Sequence, residues 1–332
     1  MTDFVAVAQR LADEALFPAA VATDRSDVLP RELLDALADA GLYGLGLHAD
    51  FAATCAVVEA LSSGCLTTAF VWAQHLGAVH AVALNESAEL RAEWLAPLAT
   101  GSRRAGLALG GALPQPTLHA RRADGGWVLD GSSAWLSGWG RIDVVHAAAR
   151  ADGDLIVWAL VDATEDETLA VERLELVALN ATATVRADVR ERFVASERVT
   201  AIVPAPAPEA PTPREVLRIH ASLALGVASR CCRLLGSSKF DEALDSCRTR
   251  LDAADTEEMP AARAASSELA LRASAALMVS TGSRSVLLGD HAQRLAREAL
   301  FVAVYAGRPP VRAALLERLT RARPQAAGGS RV

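Results

Sequence analysis

The sequence predicts an α+β protein, mainly α, with a small β domain set between two helical ones. Three observations predict it. Apolar residues recur at helical spacing up to about residue 104, the period shortens to two from Gly106, and helical spacing returns beyond a proline-rich stretch. The domain limits that follow are 1–104, 105–203, a linker at 204–213, a helical bundle at 214–323 and a tail at 324–332.

Phe4, Val7, Ala8, Leu11, Ala15 and Leu16 give a first helix, which Pro18 ends or kinks. Leu29-Pro30 opens a second helix that runs to Gly41, and the short apolar piece Leu42 to Leu47 follows. Phe51 to Ser63 is a third helix. Thr67 to Asn85 is a fourth, apolar almost all round, so it is buried on several faces. Ser87 caps a fifth that reaches Leu98. In the β region Gly125-Gly126 reads as a hairpin turn, Trp127-Val128-Leu129 as a strand and Asp130-Gly131 as a second turn. Ser133 to Ser137, Val144 to Ala149, Leu155 to Val161 and Thr182 to Phe193 read as further strands, the first of them forming two tandem hairpins, a meander. The prolines of Val203 to Pro213 exclude helix and central strand, so that stretch is a linker. Arg214 to Ser237, Phe240 to Asp255, Ala261 to Thr281, Gly289 to Tyr305 and Pro310 to Arg323 are helical.

Of 332 residues 52% are apolar, enough for a sizeable core. A net charge of -7, with no basic stripe, argues against a nucleic-acid partner. The five cysteines (Cys55, Cys65, Cys231, Cys232, Cys247) have no CxxC spacing, which suggests neither a disulfide framework nor a metal site and points to a reducing, cytoplasmic setting. The N-terminus lacks the basic head and apolar core of a signal peptide, and no uncharged run is long enough to span a bilayer, so no membrane association is expected.

Four segments, in order, resemble the acyl-CoA dehydrogenase family: LPRELLDALADAGLYGLGL (Leu29 to Leu47), RAEWLAPLATGSRRAGLAL (Arg91 to Leu109), GWVLDGSSAWLSGWGRIDVVHAAAR (Gly126 to Arg150) and GDHAQRLAREALFVAVYAG (Gly289 to Gly307). The first is similar to the family's early helix followed by a short extended piece. The last has Arg297 and Gly307 in register. The resemblance covers nearly the whole chain and implies an N-terminal helical domain, a middle β domain and a C-terminal bundle. It also implies bound FAD, an acyl-CoA substrate and a homodimer, or a hetero-oligomer with another chain of the same type. In that chemistry a carboxylate takes the proton next to the thioester carbonyl while the neighbouring carbon gives up a hydride. The resemblance places Trp135 and Ser137 beside the flavin ring, and adds Leu109, Gly307 and Arg308 as cofactor-binding positions.

The chain departs from the family where the chemistry lies. The commonest base is a glutamate before the glycine matching Gly307, and Ala306 stands there. Some members carry the base on the first bundle helix. Here that register falls on Val216, with Glu215 one residue earlier and about 100° round the helix, which makes Glu215 a weak candidate. The flavin-lining loop is replaced by LALGGALPQP (Leu107 to Pro116), the Arg-Gln-Phe signature has no counterpart after Ser237-Ser238-Lys239-Phe240, and the glycine-rich turn has become GSRS (Gly282 to Ser285). Gly110-Gly111, Gly282 and Arg284 could admit or pair with a phosphate, but isolated glycines more often make ordinary turns. His75 and His80 on the fourth helix read as core or interface histidines, and His220 is better placed to face a substrate cleft.

Three readings follow: an acyl-CoA dehydrogenase-like flavoprotein that shares its site with a partner chain, a self-sufficient flavoenzyme or flavin oxygenase with another base, and a non-enzymatic acyl-CoA-binding or scaffold protein.

Overall fold

The computed structural model describes residues 2–207, 209–236 and 240–321. The tail from 324 and the Ser237–Lys239 part of the missing signature lie outside them. The N-terminal domain comprises α1 (Phe4–Leu11), α2 (Phe17–Asp24), α3 (Arg31–Asp39), α4 (Leu45–His48), α5 (Phe51–Gly64), α6 (Leu66–Ala83) and α7 (Ala88–Thr100). Pro18 does not end the first helical stretch. A π-helical turn over Ala12–Leu16 joins α1 to α2, and Pro18 sits in the first turn of α2, where its missing N–H costs least. Leu42 to Leu47 is helical rather than extended: a 3-10 turn over Leu42–Gly44 runs into α4, burying Leu42, Tyr43 and Leu45. Ser87 caps α7 as its residue type suggests, accepting from the Leu90 N–H at 3.1 Å.

The middle domain is one sheet. Its strands are β1 (Ala105–Ala108), β2 (Leu118–Ala123), β3 (Gly126–Leu136), β4 (Val144–Ala151), β5 (Leu155–Asp162), β6 (Leu169–Arg173), β7 (Val185–Ala195) and β8 (Val199–Pro204). Their order is β6-β7-β3-β2-β4-β5-β8, with β1 also paired to β4. The predicted meander is absent. The β2–β3 hairpin turns at Asp124-Gly125, one residue earlier than the spacing suggested, with Gly125 at φ +72°. Asp130-Gly131 is no turn but a bulge inside an eleven-residue strand. A Cβ on Gly131 would meet the Thr117 carbonyl oxygen at 2.2 Å, so the glycine serves a close backbone approach. Strand β8 keeps Val203 and Pro204 in the sheet, opposite Ile156 and Leu155. Nearly every residue of β4 is buried, because Val145, Ala147, Ala149 and Ala151 fill the sheet's own core while Val144 packs with α6 and α7.

The C-terminal bundle holds α8 (Arg214–Leu235), α9 (Asp241–Ala253), α10 (Met259–Thr281), α11 (His291–Val304) and α12 (Pro309–Thr320). The main apolar core is continuous from α1, α3, α5 and α6 into α8, α10 and α11. Gly226 lets α8 approach α5: a Cβ there would stand 2.4 Å from the Glu59 carbonyl oxygen. Arg297 on α11 ties the three regions together through Asp24, the Val177 carbonyl at 2.8 Å and Gln293. Among the described residues no helix is long and apolar enough to cross a membrane.

Candidate functional site

Ala306 follows the last turn of α11 in the left-handed region, φ +50°, a conformation that costs a non-glycine residue about 1–3 kcal/mol. It is exposed, and Gly307 and the exposed Arg308 lead from it into α12. Beside it the aromatic rings of three helices meet. Tyr305 stands edge-on to Phe70 of α6 at 4.8 Å and to His220 of α8 at 4.9 Å, and stacks with Phe301 at 5.5 Å. His220 therefore lies beside Tyr305, the residue before Ala306. Burial and the Arg263 and Arg308 charges hold the imidazole down to about 3, so at neutral pH the ring is neutral, and its buried Nδ1 has no hydrogen-bond partner among the described residues. Burial raises the Tyr305 phenol.

Arg263 was not singled out by the sequence, although an arginine in the alanine-rich run MPAARAASSELAL of α10 is a visible anomaly. It is 2% exposed, donates to Ser267 and to the Val302 carbonyl at 2.7 Å, and forms no ion pair among the described residues. Burial lowers it to about 10, which leaves it charged at neutral pH.

The other predicted base lies elsewhere in character. Glu215 is an exposed first-turn residue 3.9 Å from Arg214, and Val216 beside it is also exposed. His75 is structural. Its Nδ1 accepts from the Ala105 N–H at 2.9 Å, so Nε2 carries the proton and donates to the Leu98 carbonyl at 3.0 Å, clipping the end of α7 to β1. Burial keeps His75 down at about 4. His80 is exposed and not a core residue.

On the sheet, Trp135 is 67% exposed and left-handed, φ +64°, within the shift of the β3–β7 register between Ser133 and Leu136. A bulky side chain in that conformation is uncommon, and here it lifts the indole out of the core. Ser137 faces the other way: its hydroxyl is buried and bonded to Thr184 at 2.8 Å, which in turn meets Thr182 at 2.7 Å. Leu109 is exposed at the end of β1. Gly110 and Gly111 are packed against sheet backbone, with a Cβ on Gly111 only 2.3 Å from the Arg150 nitrogen, so they line no phosphate cradle. Gly282 is at φ +71° with open space around it, and Arg284 is largely exposed, 3.8 Å from Asp290. Concavities of about 210 Å³ along β5 and β7 and about 270 Å³ between α3 and the Thr100–Arg104 turn share no residue with the Ala306 cluster. No group of three or more His, Cys, Asp or Glu side chains suited to a metal occurs among the described residues. All five cysteines are free, and burial raises every thiol.

Residues 2–102 match the family model for the acyl-CoA dehydrogenase N-terminal domain. A curated relative, 3-sulfinopropanoyl-CoA desulfinase of Paraburkholderia xenovorans strain LB400, is 28% identical over 161 residues, 44% of this chain and only 41% of the relative's length. Among solved structures, butyryl-CoA dehydrogenase from Megasphaera elsdenii superposes with TM-score 0.78 at 16% identity, covering 96% of this chain and 97% of that one. Glutaryl-CoA dehydrogenase from Mycobacterium smegmatis in complex with FADH2 superposes with TM-score 0.76 at 17% identity, covering 96% and 94%. At such identities the structural likeness shows the fold, which runs the length of the chain. The N-terminal domain thus matches that of the acyl-CoA dehydrogenases, and the chain as a whole shares their fold.

Proposed function

We propose that this chain is an acyl-CoA dehydrogenase-like subunit that binds an acyl-CoA thioester and FAD but shares the site with a second chain, which supplies the carboxylate base and the nucleotide end of the cofactor site. The observation that carries this reading is Ala306: the family's fold has alanine at the position where the resemblance puts the base, and among the described residues the charges acting on the neighbouring His220 are Arg263 and Arg308, with no carboxylate. FAD, when bound, accepts the hydride from the carbon next to the deprotonated one.

The residues present fit the flavin ring better than the rest of the cofactor. Trp135 offers an exposed aromatic face, with Leu109 as an exposed apolar neighbour by resemblance. By contrast, Ser137 is committed to Thr184, and Gly110 and Gly111 are closed against the sheet. A partner contribution also agrees with the apolar side chains left exposed on the bundle: Val279 of α10, Val286, Leu287 and Leu288 of the turn after it, Leu300 and Val304 of α11. The same inward turn of Ser137 favours one other reading, a flavin-free acyl-CoA-binding protein.

Restoring the base tests the assignment. Ala306→Glu, in a preparation shown to hold flavin and acyl-CoA, is expected to gain desaturase activity by about 10²-fold or more with an artificial electron acceptor. Bound flavin and substrate with no gain would contradict the placement of the base.

A further inference from the structure

Among the described residues, the cations around the Ala306 cluster form no ion pair with an acid. Arg263 is fully buried on α10, and two bonds, to Ser267 and to the Val302 carbonyl, account for two of its five N–H groups. Those bonds anchor the guanidinium to the last turn of α11, whose free carbonyls offer only partial negative charge. Burying an arginine without an acid is costly, and the usual remedy is a carboxylate in bidentate contact. Among the described residues no acid pairs with Arg263. The charged groups felt by His220 are Arg263 and Arg308, both cations, and the position where a glutamate would otherwise stand is Ala306. His220 has a buried, unpartnered Nδ1, and the Tyr305 ring beside it belongs to the same cluster. His220, Phe301 and Tyr305 are only half-buried and Ala306 is exposed, so the cluster is reached from the surface.

We propose that Arg263, with His220, Tyr305 and Arg308, receives a carboxylate carried on the acyl group of the ligand, so that the chain takes a monothioester of a dicarboxylic acid with coenzyme A in preference to a plain fatty acyl-CoA; this rests on the acyl-CoA reading above. The anion completes the charge balance that the chain lacks. A planar carboxylate suits the guanidinium fork, whereas a neutral methyl end would leave the buried charge without a counter-charge.

Calorimetric titration of the full-length protein with succinyl-CoA and butyryl-CoA, which share a four-carbon acyl chain, tests this. The expected result is succinyl-CoA binding at least about tenfold more tightly, as a charge-assisted contact implies. Arg263→Gln is expected to abolish the preference. Arg308 is exposed, so Arg308→Gln keeps the fold and should narrow the preference even if Arg263→Gln does not fold. Equal affinity for the two thioesters in the unaltered protein overturns the proposal and leaves the acyl-CoA reading standing. Binding of neither overturns both.

Discussion

The most informative single residues are those whose conformation or protonation is set against ordinary preference. Trp135 and Ala306 adopt left-handed backbone without being glycine, and both stand where the family resemblance puts the chemistry. Nothing in their residue types announces that conformation, so the sequence could locate them but not show which way they face. Ser137, two residues from Trp135, is the same case: its hydroxyl type suits flavin contact, yet only its partner Thr184, just before β7, reveals that it points inward. The buried histidines make a prediction of their own. Burial holds His75 and His146 at about 4 and His220 at about 3, below the ordinary 6.5. The unfolded chain therefore takes up protons near pH 6.5 that the folded chain cannot. Stability should be complete above pH 6.5 and fall as pH drops toward 4, by about 1.4 kcal/mol per pH unit for each such histidine. Urea midpoints at pH 7.5 and pH 5 measure this, and an unchanged midpoint would refute the buried neutral state.

At the level of elements, helices were legible and the sheet was not. Helical faces repeat within one segment, so α1, α3, α5, α6 and α7 and all five bundle helices follow from local spacing and caps. Strands β6 and β8 were not read, and β2 only as the unnamed partner of a hairpin, because β8 pairs with a strand up to 49 residues away and β2 and β6 carry arginine or glutamate on their exposed positions. Asp130-Gly131 carries a turn signal, but the approach of Thr117 from β2's side makes it a bulge instead. Close approach also sets the helix contact between α5 and α8. Gly226→Ala places a methyl against the Glu59 carbonyl, and although alanine favours helix, the net effect expected from chemical denaturation is a loss of about 1–3 kcal/mol. A variant as stable as the parent would show that the two helices are not packed this closely.

For the whole molecule, the sequence conveyed the three-part architecture and the loss at Ala306, while the charge imbalance at Arg263 emerged only when α8, α10 and α11 were brought together. The account treats the chain as a full scaffold with half a site. Its central claim is that the cofactor is completed by a second chain. The direct measurement is the visible absorbance spectrum of the protein purified alone and again after co-expression with an acyl-CoA dehydrogenase-like partner, with flavin released and counted per chain. The account predicts little or no flavin on the lone chain and near-stoichiometric flavin on the co-purified complex; a lone chain that retains a full equivalent of flavin would contradict it.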